Sequence, residues 1–287
     1  MLTIHVWPKW LKEFLLTHPL YKSPKSNERL IVPACFGGII RAVTGSIFER
    51  SISLLGDEAF SRISGYRVAI FGVGGVGGWC AEALVRTGVR NITLVDDDIV
   101  AESNVNRQRQ ATPSTIGRMK VEVLRDILLD IAPDAAIASI AERYTPASAA
   151  RFDNALDSAD FVIDAIDSVD CKAHLIQRCA NPAVAEGGKM RRPILFSSMG
   201  AALRTDPTRV KTSPFNKVTG DGLARALRNR FRKCGQPIPR HICVHSEELP
   251  MKSANGVKGS LMPVTCAFGM ALASLVIGTQ MAGRFHL

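Results

Sequence analysis

Short apolar runs alternate with amphipathic stretches through the middle of the chain, and this pattern predicts its fold. Runs rich in β-branched residues predict buried strands at Val68–Gly72, Asn91–Val95, Ala135–Ala141, Phe161–Asp167 and Pro193–Ser198. Apolar residues at helical spacing predict helices at Trp79–Arg86, Gly117–Ile131 and Val169–Ala180, with one more beginning at Thr145. Alternation at this spacing indicates an α/β fold with a doubly wound, Rossmann-like, mainly parallel sheet.

Local signals refine the flanking regions. Asp57 is expected to cap a helix over Glu58–Ile63, and Ser168 to cap the helix that starts at Val169. After Gly200 the pattern changes, and it predicts a short strand at Arg209–Lys211, an amphipathic helix at Asp221–Lys233 and a strand at Cys243–His245. The uncharged run Leu261–Met281 predicts a helix buried against the sheet, with membrane association as the alternative.

We therefore divide the chain into three parts: an N-terminal extension of unclear role over 1–46, a nucleotide-binding domain over 47–200, and a basic, partly helical continuation of that domain over 201–287. The 46% apolar and 22% charged residues are typical of a globular protein. The seven cysteines form no CxxC pair, which favours free thiols in a reducing compartment, and hence the cytoplasm.

A glycine-rich turn connects the first predicted strand to its helix. Glycines at 72, 74, 75, 77 and 78 allow the backbone to approach a phosphate at the start of a helix. Asp96 and Asp98 follow the second strand, where a carboxylate can accept hydrogen bonds from a ribose, and Asp167 closes the fourth. Carboxyl ends of parallel strands share one edge, so these groups are expected to gather there.

Two classes of nucleotide-binding protein fit this arrangement. A dinucleotide dehydrogenase needs only the glycine turn and one acid, whereas an ATP-using enzyme also needs cations for the triphosphate and a carboxylate for Mg²⁺. Arg107, Lys120 and Asp167 supply these groups and favour ATP with Mg²⁺. An NAD-dependent oxidoreductase, or a nucleotide-binding module without catalysis, remains the alternative class.

The net charge of +10 is confined to one segment. Between Glu186 and Arg240 thirteen Lys and Arg face three Asp and Glu, while the rest of the chain is neutral. A localised basic field favours a polyanionic partner, with nucleic acid ahead of an anionic membrane.

The order and spacing of these motifs resemble the adenylation domain of the ubiquitin-activating and ThiF/MoeB family. The matching motifs are Gly72-Val-Gly-Gly-Val-Gly, Asp96-Asp-Asp98, Asn104-Val-Asn-Arg107-Gln, Gly117-Arg-Met-Lys120 and Asp164-Ala-Ile-Asp167. The resemblance implies that Asp96 binds the ribose of ATP, that Arg107 and Lys120 bind its phosphates with help from Asn104, and that Asp167 holds Mg²⁺. It also implies a homodimer in which Arg50 reaches the ATP of the other subunit.

Further stretches resemble one branch of this family, the bacterial tRNA threonylcarbamoyladenosine dehydratases. They are Ser198–Thr208, Gly222-Leu-Ala-Arg, Cys243-Val-His-Ser-Glu-Glu and Lys258-Gly-Ser. The resemblance implies adenylation and cyclisation of the threonylcarbamoyl carboxylate beside a tRNA anticodon. The predicted tRNA contacts are Arg204, Arg209, Lys217, Arg225, Arg228, Arg232 and Lys258.

Three further features bear on this resemblance. Gly78 stands where the family usually has serine. The CxxC pairs of zinc-binding sulfur-carrier activators are absent from the sequence, so no zinc is expected, and activation of a ubiquitin-like sulfur carrier is the alternative function. Cys243 matches a cysteine linked to a sulfur-relay partner, although a strand cysteine with a structural role is the favoured interpretation.

Overall fold

A seven-stranded sheet organises the described part of the chain, which comprises residues 47–180, 193–253 and 256–279 of a computed structural model. The chain divides into two compact units, Met1–Glu49 and Arg50–Leu287, and the whole sheet belongs to the second. The extension predicted over 1–46 lies outside the described residues. The strands are β1 Arg67–Phe71, β2 Asn91–Val95, β3 Ala136–Ile140, β4 Phe161–Asp164, β5 Ile194–Ser198, β6 Val210–Pro214 and β7 Ile242–Ser246.

The strand order is β3-β2-β1-β4-β5-β7-β6, with every neighbouring pair parallel except β6 and β7. Phe71 of β1 pairs with Val95 of β2 and with Asp164 of β4, so these three strands end at the same edge. The prediction of a doubly wound, mainly parallel sheet is confirmed. Strands β6 and β7 extend it beyond residue 200, so the basic segment is built into the same sheet.

Helices connect the strands. They are α1 Glu49–Leu55, α2 Asp57–Ser64, α3 Gly77–Thr87, α4 Lys120–Ile131, α5 Asp153–Ser158, α6 Val169–Ala180, α7 Gly222–Lys233 and α8 Met262–Gly278. Strand residues alternate between two buried faces: Ala69 and Phe71 join a core cluster with residues of α5, α6 and α7, while Val68 and Ile70 point to the opposite face.

Helix α8 packs against α3 and against strands β5, β6 and β7, as expected for the uncharged C-terminal run. A Cβ atom on Gly269 would lie 2.7 Å from the Val76 carbonyl oxygen, so the two helices approach at backbone distance. None of the helices in the described ranges combines the length and the apolar character that crossing a membrane requires.

Several predicted boundaries differ from the observed ones. Gly56, not Asp57, is the N-cap of α2, and Asp57 is its first residue. The segment after Thr145 forms a 3-10 turn, Ala149–Phe152, before the short helix α5. Strand β4 ends at Asp164 rather than Asp167, and the chain turns there, with Asp164 Oδ1 accepting from the Ile166 N–H at 3.2 Å.

The bounds of several other elements differ from the predicted ones by a few residues. Helix α4 begins at Lys120 instead of Gly117, which has a φ of 87°. Asp221 caps α7 from outside by accepting a hydrogen bond from the Ala224 N–H at 2.8 Å. Arg209 lies in the turn before β6, and the predicted end of the last helix, at Met281, falls outside the described residues.

Candidate active site

The glycine turn lies between the ends of β1 and β4. Gly72 has a φ of 86°, and a Cβ atom there would lie 2.7 Å from the Ala165 carbonyl oxygen. A Cβ on Gly77 would lie 1.9 Å from the Gly72 carbonyl oxygen. Side chains at these two positions would displace the backbone, so glycine is required for the turn to close against β4.

A cavity of about 460 Å³ opens beside this turn, at the carboxyl edge of the sheet. Most residues assigned to the nucleotide from the sequence line it together: Gly72, Gly74, Gly75, Asp96, Asp98, Asn104, Arg107, Lys120 and Asp167. Gly77 is not among the lining residues, since it packs against the Gly72 carbonyl. The fold thus brings together groups from five separate segments of the chain.

Asp96 is fixed at the end of β2 by two backbone donors. Its Oδ2 accepts from the Val73 N–H at 2.8 Å, and its Oδ1 from the Asp98 N–H at 2.9 Å. Burial raises the pKa of Asp96, while the two N–H groups and Lys120 favour the ionised form. The carboxylate therefore links the glycine turn to β2 and has a defined orientation toward the cavity.

Lys120 begins α4, and its ammonium group lies beside a carboxylate. Its Nζ donates to Asp98 Oδ2 at 2.6 Å, and only 5% of the residue is exposed. The backbone N–H of Lys120 also donates to the Asp98 carbonyl at 3.0 Å. The anion beside this lysine is therefore an internal one, the Asp98 carboxylate, and Lys120 lines the cavity.

Arg107 follows a tight turn built by Asn104. Asn104 Oδ1 accepts from the Ala101 N–H at 3.0 Å, and the Asn104 carbonyl accepts from the Arg107 N–H at 3.0 Å. The Arg107 guanidinium donates to the Ser103 carbonyl at 2.7 Å and to Asn106 Oδ1 at 2.9 Å. Asn104 thus shapes the turn, and the cation of Arg107 lines the cavity.

The two aspartates after β4 have different surroundings. Asp164 is fully buried: its Oδ2 lies 2.9 Å from Lys172 Nζ and accepts from Ser197 Oγ at 2.8 Å. Asp167 is exposed and lines the cavity. A free carboxylate at a site for phosphates is the hard oxygen ligand that Mg²⁺ prefers, so Asp167 fits the ion chemically.

Residues after β3 also line the cavity, although no local motif singles them out. They are Glu142, Arg143 and Tyr144. Their position at the end of a third parallel strand is the available signal, because every such strand ends at this edge. Gln108, Cys171 and Thr265 of α8 also line the cavity, and Thr265 cannot be assigned from local pattern because it arrives from a distant helix.

Arg50 lies on α1, is exposed, and is not among the side chains that line the cavity. The described part of this single chain therefore does not bring Arg50 to the site. This arrangement leaves its assignment to the site of another subunit as a proposal.

The structure contradicts the surface role predicted for Arg204. Only 3% of the residue is exposed, and Arg204 Nη2 lies 3.0 Å from Asp221 Oδ2. Its other nitrogens donate to the carbonyls of Gly200 and Glu248. This guanidinium is satisfied inside the fold, where it joins the end of β5 to the N-cap of α7, because an unpaired buried cation would be costly.

Arg228 also differs from the exposed side chain predicted. It is half-buried, donates to the Phe215 and Val218 carbonyls, and lies over the Phe215 ring at 5.7 Å from its centroid. The remaining predicted tRNA contacts are exposed: Arg209, Lys217, Arg225, Arg232 and Lys258. Two of these have local partners, since Arg209 donates to the Glu247 carbonyl at 3.0 Å and Arg232 to Asn229 Oδ1 at 3.4 Å.

Cys243 is fully buried in β7, with its sulfur 3.3 Å from His241 Nε2. Burial raises the pKa of the Cys243 thiol. Burial, with the nearby Lys172 charge, lowers the pKa of His241 to about 3. Both groups are neutral at physiological pH, which agrees with a structural role for this strand cysteine.

Fold and site together define a doubly wound α/β protein with a cavity lined by cations and carboxylates at the carboxyl edge of its sheet. The sequence pattern of the ThiF family matches residues 48–279. The chain belongs to the ThiF family.

Individual relatives and solved structures are similar to this chain over most of its length. The tRNA threonylcarbamoyladenosine dehydratase of Bacillus subtilis is 35% identical over 246 residues, which cover 80% of this chain and 91% of that protein. The crystal structure of the Escherichia coli tRNA N6-threonylcarbamoyladenosine dehydratase with AMP has a TM-score of 0.75 and 30% identity, covering 89% of this chain and 98% of that one. The same enzyme with ATP gives a TM-score of 0.74. Molybdopterin-synthase adenylyltransferase of Escherichia coli is 35% identical over 133 residues, only 46% of this chain.

Proposed function

We propose that this protein is an ATP-dependent tRNA threonylcarbamoyladenosine dehydratase. The observation that carries the proposal is the cavity lined by Asp96, Arg107, Lys120 and Asp167, in a chain that matches 91% of the Bacillus subtilis dehydratase. A sulfur-carrier activator explains the same ATP groups, but the relative of that kind matches less than half of the chain.

The reaction has two steps. In the first, a carboxylate oxygen of the threonylcarbamoyl group attacks the α-phosphorus of ATP, and pyrophosphate leaves. In the second, a heteroatom of the same carbamoyl group attacks the activated acyl carbon, the carbamoyl group loses one N–H proton to solvent, and AMP leaves with the former carboxylate oxygen. The nucleophile is tethered to the acyl group, so proximity supplies much of the rate and no side-chain nucleophile is needed.

The residues of the cavity have complementary tasks in this scheme. Asp96 binds the ribose hydroxyls through its oriented carboxylate. Arg107 and Lys120 bind the phosphates, and they stabilise the charge that grows on the leaving pyrophosphate. Lys120 exchanges Asp98 for a phosphate oxygen when ATP enters, because its ammonium is already at the cavity wall.

Asp167 would hold Mg²⁺, which neutralises phosphate charge when it is bound. The carboxylate is exposed at the cavity, while Asp164 is occupied by Lys172 in the core. Of these two aspartates, we therefore assign the metal to Asp167.

The tRNA is proposed to bind the exposed cations that surround the carboxyl edge and α7. Phosphates supply most of the affinity of such interfaces, and lysine and arginine side chains are their usual partners. The exposed residues Arg209, Lys217, Arg225, Arg232 and Lys258 fit this role, whereas the buried Arg204 does not.

We further propose a homodimer in which Arg50 completes the site of the other subunit, and we place the reaction in the cytoplasm, where free thiols persist. The cysteines in the described residues are free, which agrees with a reducing compartment. We also propose a sulfur-relay protein as a partner. Because the Cys243 thiol is buried, this partner binds at another surface.

The test uses purified protein, ATP, Mg²⁺ and tRNA from cells that make threonylcarbamoyladenosine but lack its cyclic form. We expect AMP release together with a modified nucleoside that has lost one water by mass spectrometry. Absence of both products would refute the proposal. Pyrophosphate exchange that depends on a Gly-Gly-ended carrier and ignores tRNA would identify a sulfur-carrier activator, and tight NAD binding without ATP binding would identify an oxidoreductase.

A further inference from the structure

The indole of Trp79 contacts the backbone of the phosphate-binding arginine. Trp79 lies in the first turn of α3, directly after the glycine turn, and its Nε1–H donates to the Arg107 carbonyl at 3.0 Å. The helix that follows the glycine turn thus also holds the segment that carries Arg107.

A second contact from the same helix reaches this segment. Glu82 lies one turn beyond Trp79, is 7% exposed, and forms an ion pair with Arg109. The Arg109 guanidinium also lies 5.9 Å from the centroid of the Trp79 ring, within the range of a cation–π contact. Arg109 therefore holds the arginine segment against both side chains of α3.

The third contact is made by Gln110, which is completely buried. Its Nε2 donates to the Val73 carbonyl of the glycine turn at 2.6 Å. A Cβ atom on Gly78 would lie 2.9 Å from Gln110 Oε1, so the absence of a side chain at 78 gives this amide its place. Residues 107, 109 and 110 are thus each fastened to the glycine turn or its helix.

We propose that Trp79 is a positioning residue for Arg107, and that the Arg109–Glu82 pair holds the same segment in register with the glycine turn. The proposal deepens the proposed function and rests on its assignment of Arg107 to the ATP phosphates. Without these contacts the segment is less ordered before ATP binds, and the cost of ordering it weakens ATP binding.

The first experiment replaces Trp79 with phenylalanine, which keeps an aromatic ring and removes the N–H donor. Loss of the net free energy of one hydrogen bond raises the dissociation constant and the KM for ATP about fivefold. The kcat is expected to change less than about twofold. An unchanged KM, or a loss confined to kcat, would overturn the proposal.

A double-mutant cycle separates positioning from general packing. If Trp79 acts through Arg107, Trp79→Phe has no further effect on ATP affinity in an Arg107→Ala background. Additive losses would show that the indole acts by another route and would overturn the proposal.

Arg86 provides a matched control for Arg109. Both arginines pair with Glu82, Arg86 at 2.7 Å, but Arg86 is an exposed residue of the last turn of α3, whereas Arg109 belongs to the arginine segment itself. We expect Arg109→Met to raise the KM for ATP severalfold, and Arg86→Met to leave it within about twofold of the wild-type value, since an exposed ion pair contributes little. Equal effects would contradict a role specific to the arginine segment.

The failure of this proposal is distinguishable from failure of the proposed function. ATP affinity is measured by calorimetry without tRNA, so it reports on the arginine segment even if no cyclic product forms. If Arg107→Ala leaves ATP affinity unchanged, the premise about Arg107 fails; if Arg107→Ala weakens binding and Trp79→Phe does not, only the positioning proposal fails.

Discussion

Asp164 and Asp167 carry the same functional group three residues apart, but their environments assign them different tasks. Asp164 is neutralised in the core by Lys172, which also donates to the Ile166 carbonyl at 3.0 Å. This buried pair therefore supports the loop that presents Asp167 at the cavity. Removing one partner of such a pair leaves an uncompensated charge, so it stabilises the loop only as a unit.

We expect Asp167→Asn to lower AMP formation by about a hundredfold or more, because the amide loses the charge that Mg²⁺ requires. The variant should keep the wild-type melting temperature, since the side chain is exposed. Asp170→Asn, the same change at an exposed residue three positions later, is the control. Retained AMP formation in Asp167→Asn would exclude the metal assignment.

Protonation of His241 makes the free energy of unfolding depend on pH. Its pKa is lowered to about 3 because the ring is desolvated, stacked on Phe215 and near the Lys172 charge. The folded state then binds fewer protons than the unfolded chain, so this contribution is complete above pH ~6.5 and is lost as the pH falls toward 3.

Replacing His241 with phenylalanine keeps the ring stack and removes this titration. We expect the fall in unfolding free energy between pH 7 and 5 to be smaller than in the wild type by 1–2 kcal/mol, on the order of one linked proton. Denaturant unfolding at several pH values measures it. A slope equal to the wild-type slope would show that other groups dominate acid sensitivity.

At the scale of elements, α7 has one face in the core and another in solvent. Ala224, Leu227 and Phe231 are buried, Asp221 caps its first turn, and Arg228 is committed to the carbonyls of a neighbouring turn. Arg225 and Arg232 are two of its outward cations, separated by seven residues and hence by about 10 Å along the helix. That separation allows contacts with two or more phosphates of a polynucleotide.

The double variant Arg225→Glu/Arg232→Glu should weaken tRNA binding at every sequence and reduce the slope of log affinity against log salt by about 0.7–0.9 for each phosphate that α7 no longer neutralises. ATP affinity should not change. Arg62→Glu/Arg118→Glu makes the same change of charge at exposed positions outside the basic segment. Equal losses in both double variants would indicate a non-specific charge effect instead of binding by α7.

The predictable parts of this fold are those encoded by neighbouring residues. Periodicity locates the strands and most helices, since apolar runs must be buried. It places the end of β4 three residues late, because the strand ends where the Asp164 carboxylate accepts from the Ile166 N–H and pairs with Lys172, and periodicity encodes neither contact. Charge alone assigns Arg204 to the surface, whereas Asp221, seventeen residues away, makes its burial possible.

The same limit applies to the candidate site. The glycine turn and the acids that follow strands are expected to meet, because parallel strands end at one edge. Thr265 and Tyr144 also line the cavity, but one arrives with α8 and the other after the third strand, without any local motif. Their recruitment is decided by how whole elements pack.

At the scale of the whole molecule, the proposed homodimer gives Arg50 a role that it does not have in the cavity of its own chain. It is exposed on α1 and does not line the cavity of its own chain in the described residues. An exposed arginine that acts in trans fits a two-fold dimer, since each subunit then donates and receives the same residue.

A mixed dimer tests this arrangement. Subunits with Arg50→Ala and Asp167→Asn, each nearly inactive as homodimers, are co-expressed with different tags and purified through both. If Arg50 acts across the interface, one site of each mixed dimer is intact, and about half of the wild-type AMP release should return. No recovery, in a preparation shown to be dimeric, would place Arg50 in its own subunit's site or outside it.

The hydrogen bond from Trp79 to Arg107 has a spectroscopic consequence. Trp79 is the only tryptophan within the described residues, and the other two, Trp7 and Trp10, belong to the N-terminal extension. An indole whose N–H is bonded to a carbonyl, with a guanidinium near its face, emits light at a wavelength and intensity set by those two neighbours. In a Trp7→Phe/Trp10→Phe background, the protein therefore carries its own fluorophore in contact with the segment that bears Arg107.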